Sequence, residues 1–112
     1  MKPLIPLISA MLMATMALEP AAAQSSYPDR QIRLIVPTPP GGSSDAAARV
    51  LATLMSKSLG QTVVIENKPG AGTTIGTAAG AQAAPDGYTL LFAPTPFVIS
   101  QAMYPKLPYD AD

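Results

Sequence analysis

Hydrophobic and polar positions change period along this chain, and the changes mark out its elements. Ile32 to Val36 is an almost unbroken apolar run carrying one charge, Arg33. Thr62-Val63-Val64-Ile65-Glu66 is β-branched, and Tyr88 to Ala93 is apolar again. Short continuous runs of this kind suit strands buried on both faces of a sheet. Between the first two runs, Ala47, Val50, Leu51, Leu54 and Met55 fall at i, i+3, i+4, i+7 and i+8, with Arg49, Thr53, Ser56 and Lys57 on the other side. That period predicts a helix from Asp45 to Leu59 with one apolar and one solvated face. Ser43 or Ser44 is placed to cap its start, Asp45 complements the positive end of its dipole, and Gly60 supplies a left-handed stop. A small-residue helix is predicted from about Ile75 to Ala84, closed by Pro85-Asp86-Gly87, and a short one from Phe97 to Tyr104 before Pro105.

Strand-helix-strand units with short links build a parallel sheet by right-handed crossovers, so the pattern reads as an α/β fold. Both strand-to-helix links have one chemistry. Pro39-Pro40-Gly41-Gly42-Ser43-Ser44-Asp45 and Lys68-Pro69-Gly70-Ala71-Gly72-Thr73-Thr74 each set Pro and Gly before small hydroxyl residues and an Ala-rich helix. The first amides of a helix lack intrahelical acceptors and carry the positive end of its dipole, which favours an anion such as a carboxylate or phosphate. A purely structural reading stands beside this, in which Gly41 and Gly42 only supply the backbone freedom of a tight turn. In open α/β sheets ligands bind at the carboxyl ends of strands, where strand order reverses; with order second, first, third, that crevice falls beside Gly41 and Gly42.

The N-terminus changes the picture. Lys2 is a short positive region, Leu4 to Leu18 is rich in Leu, Met and Ala, and Ala21-Ala22-Ala23 follows Pro20. This matches a secretory signal cleaved near Ala23, with residues 24–112 as the mature part. The apolar stretch falls short of the about 20 residues that a membrane span needs. The chain has 7 basic and 7 acidic residues, and no basic stripe fit to grip a nucleic-acid backbone, so nucleic acid is not an expected partner. With no Cys and no His, a Ser-His-Asp triad, a Cys-His pair and imidazole or thiolate metal sites cannot be built. Asp45, Glu66 and Asp86 sit in separate turns or strand ends, with no spacing that unites them for acid/base work. The expectation is a protein that is not an enzyme and carries no metal and no cofactor. Gly70, Gly72 and Gly76 tempt a dinucleotide reading, but the next strand runs into Pro94-Thr95-Pro96 without the acidic residue that a ribose requires. Gly76 and Gly80 are instead placed to bring a helix close to the sheet.

A set of ordered motifs carries a resemblance. Tyr27-Pro28, Ile32-Arg33-Leu34-Ile35-Val36-Pro37 with Pro39-Pro40-Gly41-Gly42 and Asp45, Leu59-Gly60-Gln61, Val64 to Gly72, Ala84 to Leu91, and Leu107-Pro108-Tyr109-Asp110 resemble the Bug family. These are extracytoplasmic solute receptors of tripartite tricarboxylate transporters. The resemblance implies a periplasmic-binding-protein-like fold of the type II, two-lobe kind, of which this chain is the first part of lobe one only, a fragment or truncated gene product. It implies a receptor for a small carboxylated solute, with the membrane subunits of such a transporter, or a sensor, as partners. Carried over, Pro40, Gly41, Gly42, Ser43 and Asp45 match the first ligand loop, Gly70, Ala71, Gly72 and Thr73 the second, and Thr95 a segment that varies among relatives. Ser44 joins the first group as a main-chain donor, while Asp45 is expected to shape the helix start more than to touch an anion. An exported remnant or interaction protein derived from that lobe, without ligand binding, is the alternative.

Overall fold

The computed structural model describes residues 26–110. The predicted signal lies outside them. Three parallel strands, β1 (Ile32–Val36), β2 (Val63–Asn67) and β3 (Thr89–Leu91), form one sheet in the order β2-β1-β3. Helix α1 (Ser43–Leu59) links β1 to β2; a 3-10 turn (Ala71–Thr73) and α2 (Thr74–Ala81) link β2 to β3; α3 (Thr95–Met103) follows β3. Ile32 pairs with Val63 and Val36 with Asn67, while Arg33 to Ile35 pair with Thr89 to Leu91. The α/β reading and the parallel sheet hold.

β1 is central, which explains why it is the most apolar run. One face sets Ile32, Leu34 and Val36, with Val63, against Ala48 and Ala52 of α1; Met55, Leu59, Ile65, Leu90 and Phe92 pack around them. On the opposite face Ile35 is buried, and α2 comes close through its small residues. A Cβ on Gly76 would lie 2.6 Å from the Lys68 carbonyl oxygen and from Pro37, and one on Gly80 would meet Leu91 at 3.2 Å. The close helix–sheet approach expected of this glycine pair is what the structure has.

The apolar face expected of α1 is corrected. Asp45, Ala48 and Ala52 are its buried residues, whereas Val50 is 63% and Leu54 59% exposed. A helix lying this close to a sheet needs small side chains at the contact, and Ala carries too little hydropathy to dominate a periodicity reading. The capping expectation is corrected as well. The helix begins at Ser43, so both serines fall inside its first turn and Gly42 holds the cap position without a side-chain bond. Gly60 does stop α1 in the left-handed conformation. α2 ends at Ala81, earlier than expected, and β3 is confined to the three residues paired with β1.

At the amino ends of β1 and β3 a polar clasp joins residues 27–30 to the turn at 86–88. The Tyr27 hydroxyl donates to the Gly87 carbonyl (2.6 Å), the Tyr88 hydroxyl donates to Asp29 (2.6 Å), and Arg30 pairs with Asp86 while lying 3.9 Å over the Tyr88 ring. The bond to Asp29 holds the Tyr88 phenol above its ordinary pKa.

Candidate functional site

Parallel pairing puts the ends of all three strands on one edge, so the three following links gather there. The first, residues 37–42, is locked from below. Pro37 is buried, and the Asn67 amide donates both to the Thr38 carbonyl (3.1 Å) and to Asp45 Oδ1 (2.9 Å). Asp45 Oδ2 accepts from the Gly41 amide (3.0 Å) and from Arg49 Nε (2.8 Å). The carboxylate is buried yet fully supplied with donors, and Arg49 first, then Gly41 and Asn67, lower its pKa to about 2. Its charge is therefore balanced within the protein. Gly41 sits at φ +89, a conformation open to glycine at little cost, and this turns the chain into the helix.

The first hydrogen bond of α1 runs from the Ala46 amide to the Gly42 carbonyl (2.9 Å). The amides of Ser43, Ser44 and Asp45 precede it and have no intrahelical acceptor. Gly42 and Ser43 are exposed and Ser44 is half-buried, at the start of a 17-residue helix.

The second link is built from left-handed backbone. Gly70, Ala71, Gly72 and Thr73 all have positive φ, at 126, 46, 61 and 78°. For Ala71, and above all for β-branched Thr73, this is strained geometry of the kind that clusters at ligand sites. The turn is held by the Thr73 amide on the Gly70 carbonyl (3.1 Å), the Thr74 hydroxyl on the Ala71 carbonyl (2.8 Å) and the Thr77 hydroxyl on the Thr73 carbonyl (2.9 Å). Thr73 Oγ1, and Thr38 Oγ1 in the first link, are buried without a protein partner. Lys68 is not a free cation here. Its ammonium pairs with Glu66 (2.8 Å), and together with Arg33 it lowers the Glu66 pKa.

The structure thus brings Pro40 to Asp45 and Gly70 to Thr73 to one edge, joined through Asn67 and through Gly76 against Pro37. Thr95, exposed in the first turn of α3, stands in the third link, and α3 packs on the 3-10 turn and on α2. Asn67 is the residue that sequence reasoning undervalued; an amide side chain ending a strand beside a glycine turn was its signal. An open groove of about 530 Å³ lies elsewhere, along α1 and β2, lined by Arg49, Thr53, Ser56, Val63 and Val64 among others. It contains none of the expected ligand residues. Among the described residues no cluster of acidic side chains is fit to hold a metal ion, and no helix is long and apolar enough to cross a membrane.

Comparison with known proteins follows the same line. Residues 47–112 match the family model described as tripartite tricarboxylate transporter family receptor. Protein BugT of Bordetella pertussis is 47% identical over 86% of this chain and 30% of its own. MatC from Rhodopseudomonas palustris, solved with bound malate, is 39% identical with a TM-score of 0.66, over 74% of this chain and 29% of its own. Rpa4515 from R. palustris, solved with adipate, is 38% identical with a TM-score of 0.57, over 58% and 22%. The chain therefore spans about 30% of the length of the curated relative it matches.

Proposed function

Because this chain belongs to the tripartite tricarboxylate transporter family of receptors, we propose that it carries the carboxylate-holding edge of a periplasmic receptor for a small carboxylated solute. The observation that carries this reading is the pair of helix-start amides at Ser43 and Ser44 without intrahelical acceptors, in an edge whose two glycine links also hold the buried hydroxyls of Thr38 and Thr73 without protein partners. Amides at a helix start fix an anion without a counter-charge, and Asp45 does not repel it because Arg49 lies 2.8 Å away. Buried hydroxyls are nearly always satisfied, so the unpartnered pair marks the two links as unusual within the fold. Pro40, Gly41, Gly42, Ser43 and Ser44 form the first wall of the site, and Gly70 to Thr73 the second. Thr95 belongs to its rim, and Asp45 acts by fixing the first wall. Malate and adipate in the two relatives support a ligand with two carboxylates on a short carbon chain. The solute would pass to the membrane subunits of a transporter of this type, or to a sensor, after export under the signal ending near Ala23.

Calorimetric titration of the chain with malate, adipate and neutral succinamide tests this. Saturable heat with either acid and none with the diamide is expected. A folded chain that responds to neither acid overturns the proposal. Binding also raises stability, by about 2.7 kcal/mol at a ligand concentration of 100 Kd, which a melting curve reads independently.

A further inference from the structure

α3 lies over the second link, and its last turn delivers one side chain to it. Tyr104 leaves the helix in extended conformation (φ −106, ψ 122), with its amide still bonded to the Ser100 carbonyl. The segment beyond Pro105 is held back along α3 by Tyr109, which stacks on Phe97 (6.1 Å between ring centroids) and shares a hydrogen bond with Ser100 Oγ at 3.1 Å. This return leaves Tyr104 at the bend, with its hydroxyl against Gly72. A Cβ at position 72 would stand 2.8 Å from that oxygen, the movable end of an exposed side chain, and it is the φ of +61 at Gly72 that calls for glycine.

The hydroxyl is set apart from the others. The chain has four tyrosines. Tyr27 bonds Gly87, Tyr88 bonds Asp29, and Tyr109 shares its bond with Ser100. Tyr104 has no protein partner for its hydroxyl among the described residues; the residue is exposed, at 41%, and its hydroxyl stands beside Gly72. An accessible phenol at that place presents a donor to whatever occupies the second link.

We infer that Tyr104 is a ligand-contacting, specificity-setting residue, its hydroxyl donating to a solute oxygen held beside the Gly72 main chain. This rests on the carboxylate reading above. The glycine turn supplies room and main-chain donors, and Tyr104 supplies a directional donor from a different element. A donor at that one place favours the acid whose oxygen reaches it, and so bears on the preference between dicarboxylates.

The test uses the whole chain, with malate and adipate as probes, and two readouts. Tyr104→Phe keeps the ring and removes the hydroxyl. It should leave the ligand-free melting temperature unchanged, lower affinity for the better-bound acid about tenfold, and narrow the preference between the two acids. Saturating the parent chain should also perturb tyrosine absorption, and that difference spectrum should vanish in Tyr104→Phe. Parent binding with unaltered affinity and preference in Tyr104→Phe overturns the inference and leaves the carboxylate site standing. A parent that saturates without any tyrosine perturbation overturns it with no variant required. A folded parent that binds neither acid removes both.

Discussion

At the scale of single residues, Asp45 decides the shape of the first wall. Its two carboxylate oxygens receive the Gly41 amide, the Arg49 guanidinium and the Asn67 amide, so one side chain joins a turn, a helix and a strand end. Its position at a helix start was legible in sequence. The partner 22 residues away was not, because only the register of β2 on β1 brings Asn67 beside it. The pH dependence follows from the folded pKa of about 2 against an ordinary 3.8. A carboxyl whose pKa is depressed by folding contributes stability that is complete above the ordinary value and is lost as pH falls through the folded one. Thermal unfolding followed from pH 5 down to about pH 2 should therefore show a falling melting temperature through this window. Asp45→Asn should be less stable at pH 5 and should lose much of that slope, because its amide group must face one of three donors. An unchanged slope would mean that other carboxyls govern the acid limb.

At the scale of elements, α1 shows how far a pattern reaches and where it stops. Its existence, its glycine stop and its place between two strands were all readable, because period, turn chemistry and strand spacing agree on them. Its buried face was not. Val50, Leu51 and Leu54 carry the hydropathy, but Ala48 and Ala52 make the close contact with Ile32, Leu34 and Val36. The small residues that allow close packing are the ones that a hydropathy pattern weights least. Two substitutions separate the faces. Leu54→Ala, at a residue 59% exposed, should change unfolding free energy by no more than about 0.5 kcal/mol. Ala48→Leu, at a fully buried position, should cost about 1–3 kcal/mol by overpacking. Urea unfolding of both variants measures this, and the reverse order would restore the face suggested by periodicity. The same distinction explains the edge where the two glycine links meet. Glycine turns after parallel strands are readable from sequence, whereas the left-handed run through Thr73 and the approach of Tyr104 depend on how α2 settles on the sheet and α3 on the 3-10 turn and α2.

At the scale of the whole molecule, the three-stranded sheet has helices on both faces but leaves much apolar surface in water. Val50 and Leu54 on α1 are 63% and 59% exposed, and Val98 and Met103 on α3 are 67% and 71% exposed. Buried large hydrophobic side chains are few among the described residues: Ile32, Leu34, Val36 and Val63 on one face of the sheet and Ile35 on the other. Small domains hide a lower share of their unfolded surface, about 60% at 60 residues, so a core of this size gives a narrow margin. Exposed apolar surface on helix faces favours association. The edge of β2 is less inviting to a further strand, because the Ser56 hydroxyl accepts the outward Val63 amide (2.9 Å) and the charges of Arg33, Glu66 and Lys68 cluster on the strands beside it. The helices, not the sheet edge, should therefore mediate self-contact. Sedimentation of residues 24–112 should show concentration-dependent association with dye-accessible apolar surface, and the double change Val50→Glu with Leu54→Lys should shift the population toward monomer without loss of helix content. A parent that stays monomeric across the concentration range and unfolds cooperatively would show that the buried strand and its two alanine contacts suffice, and that the exposed helix faces are tolerated as ordinary surface.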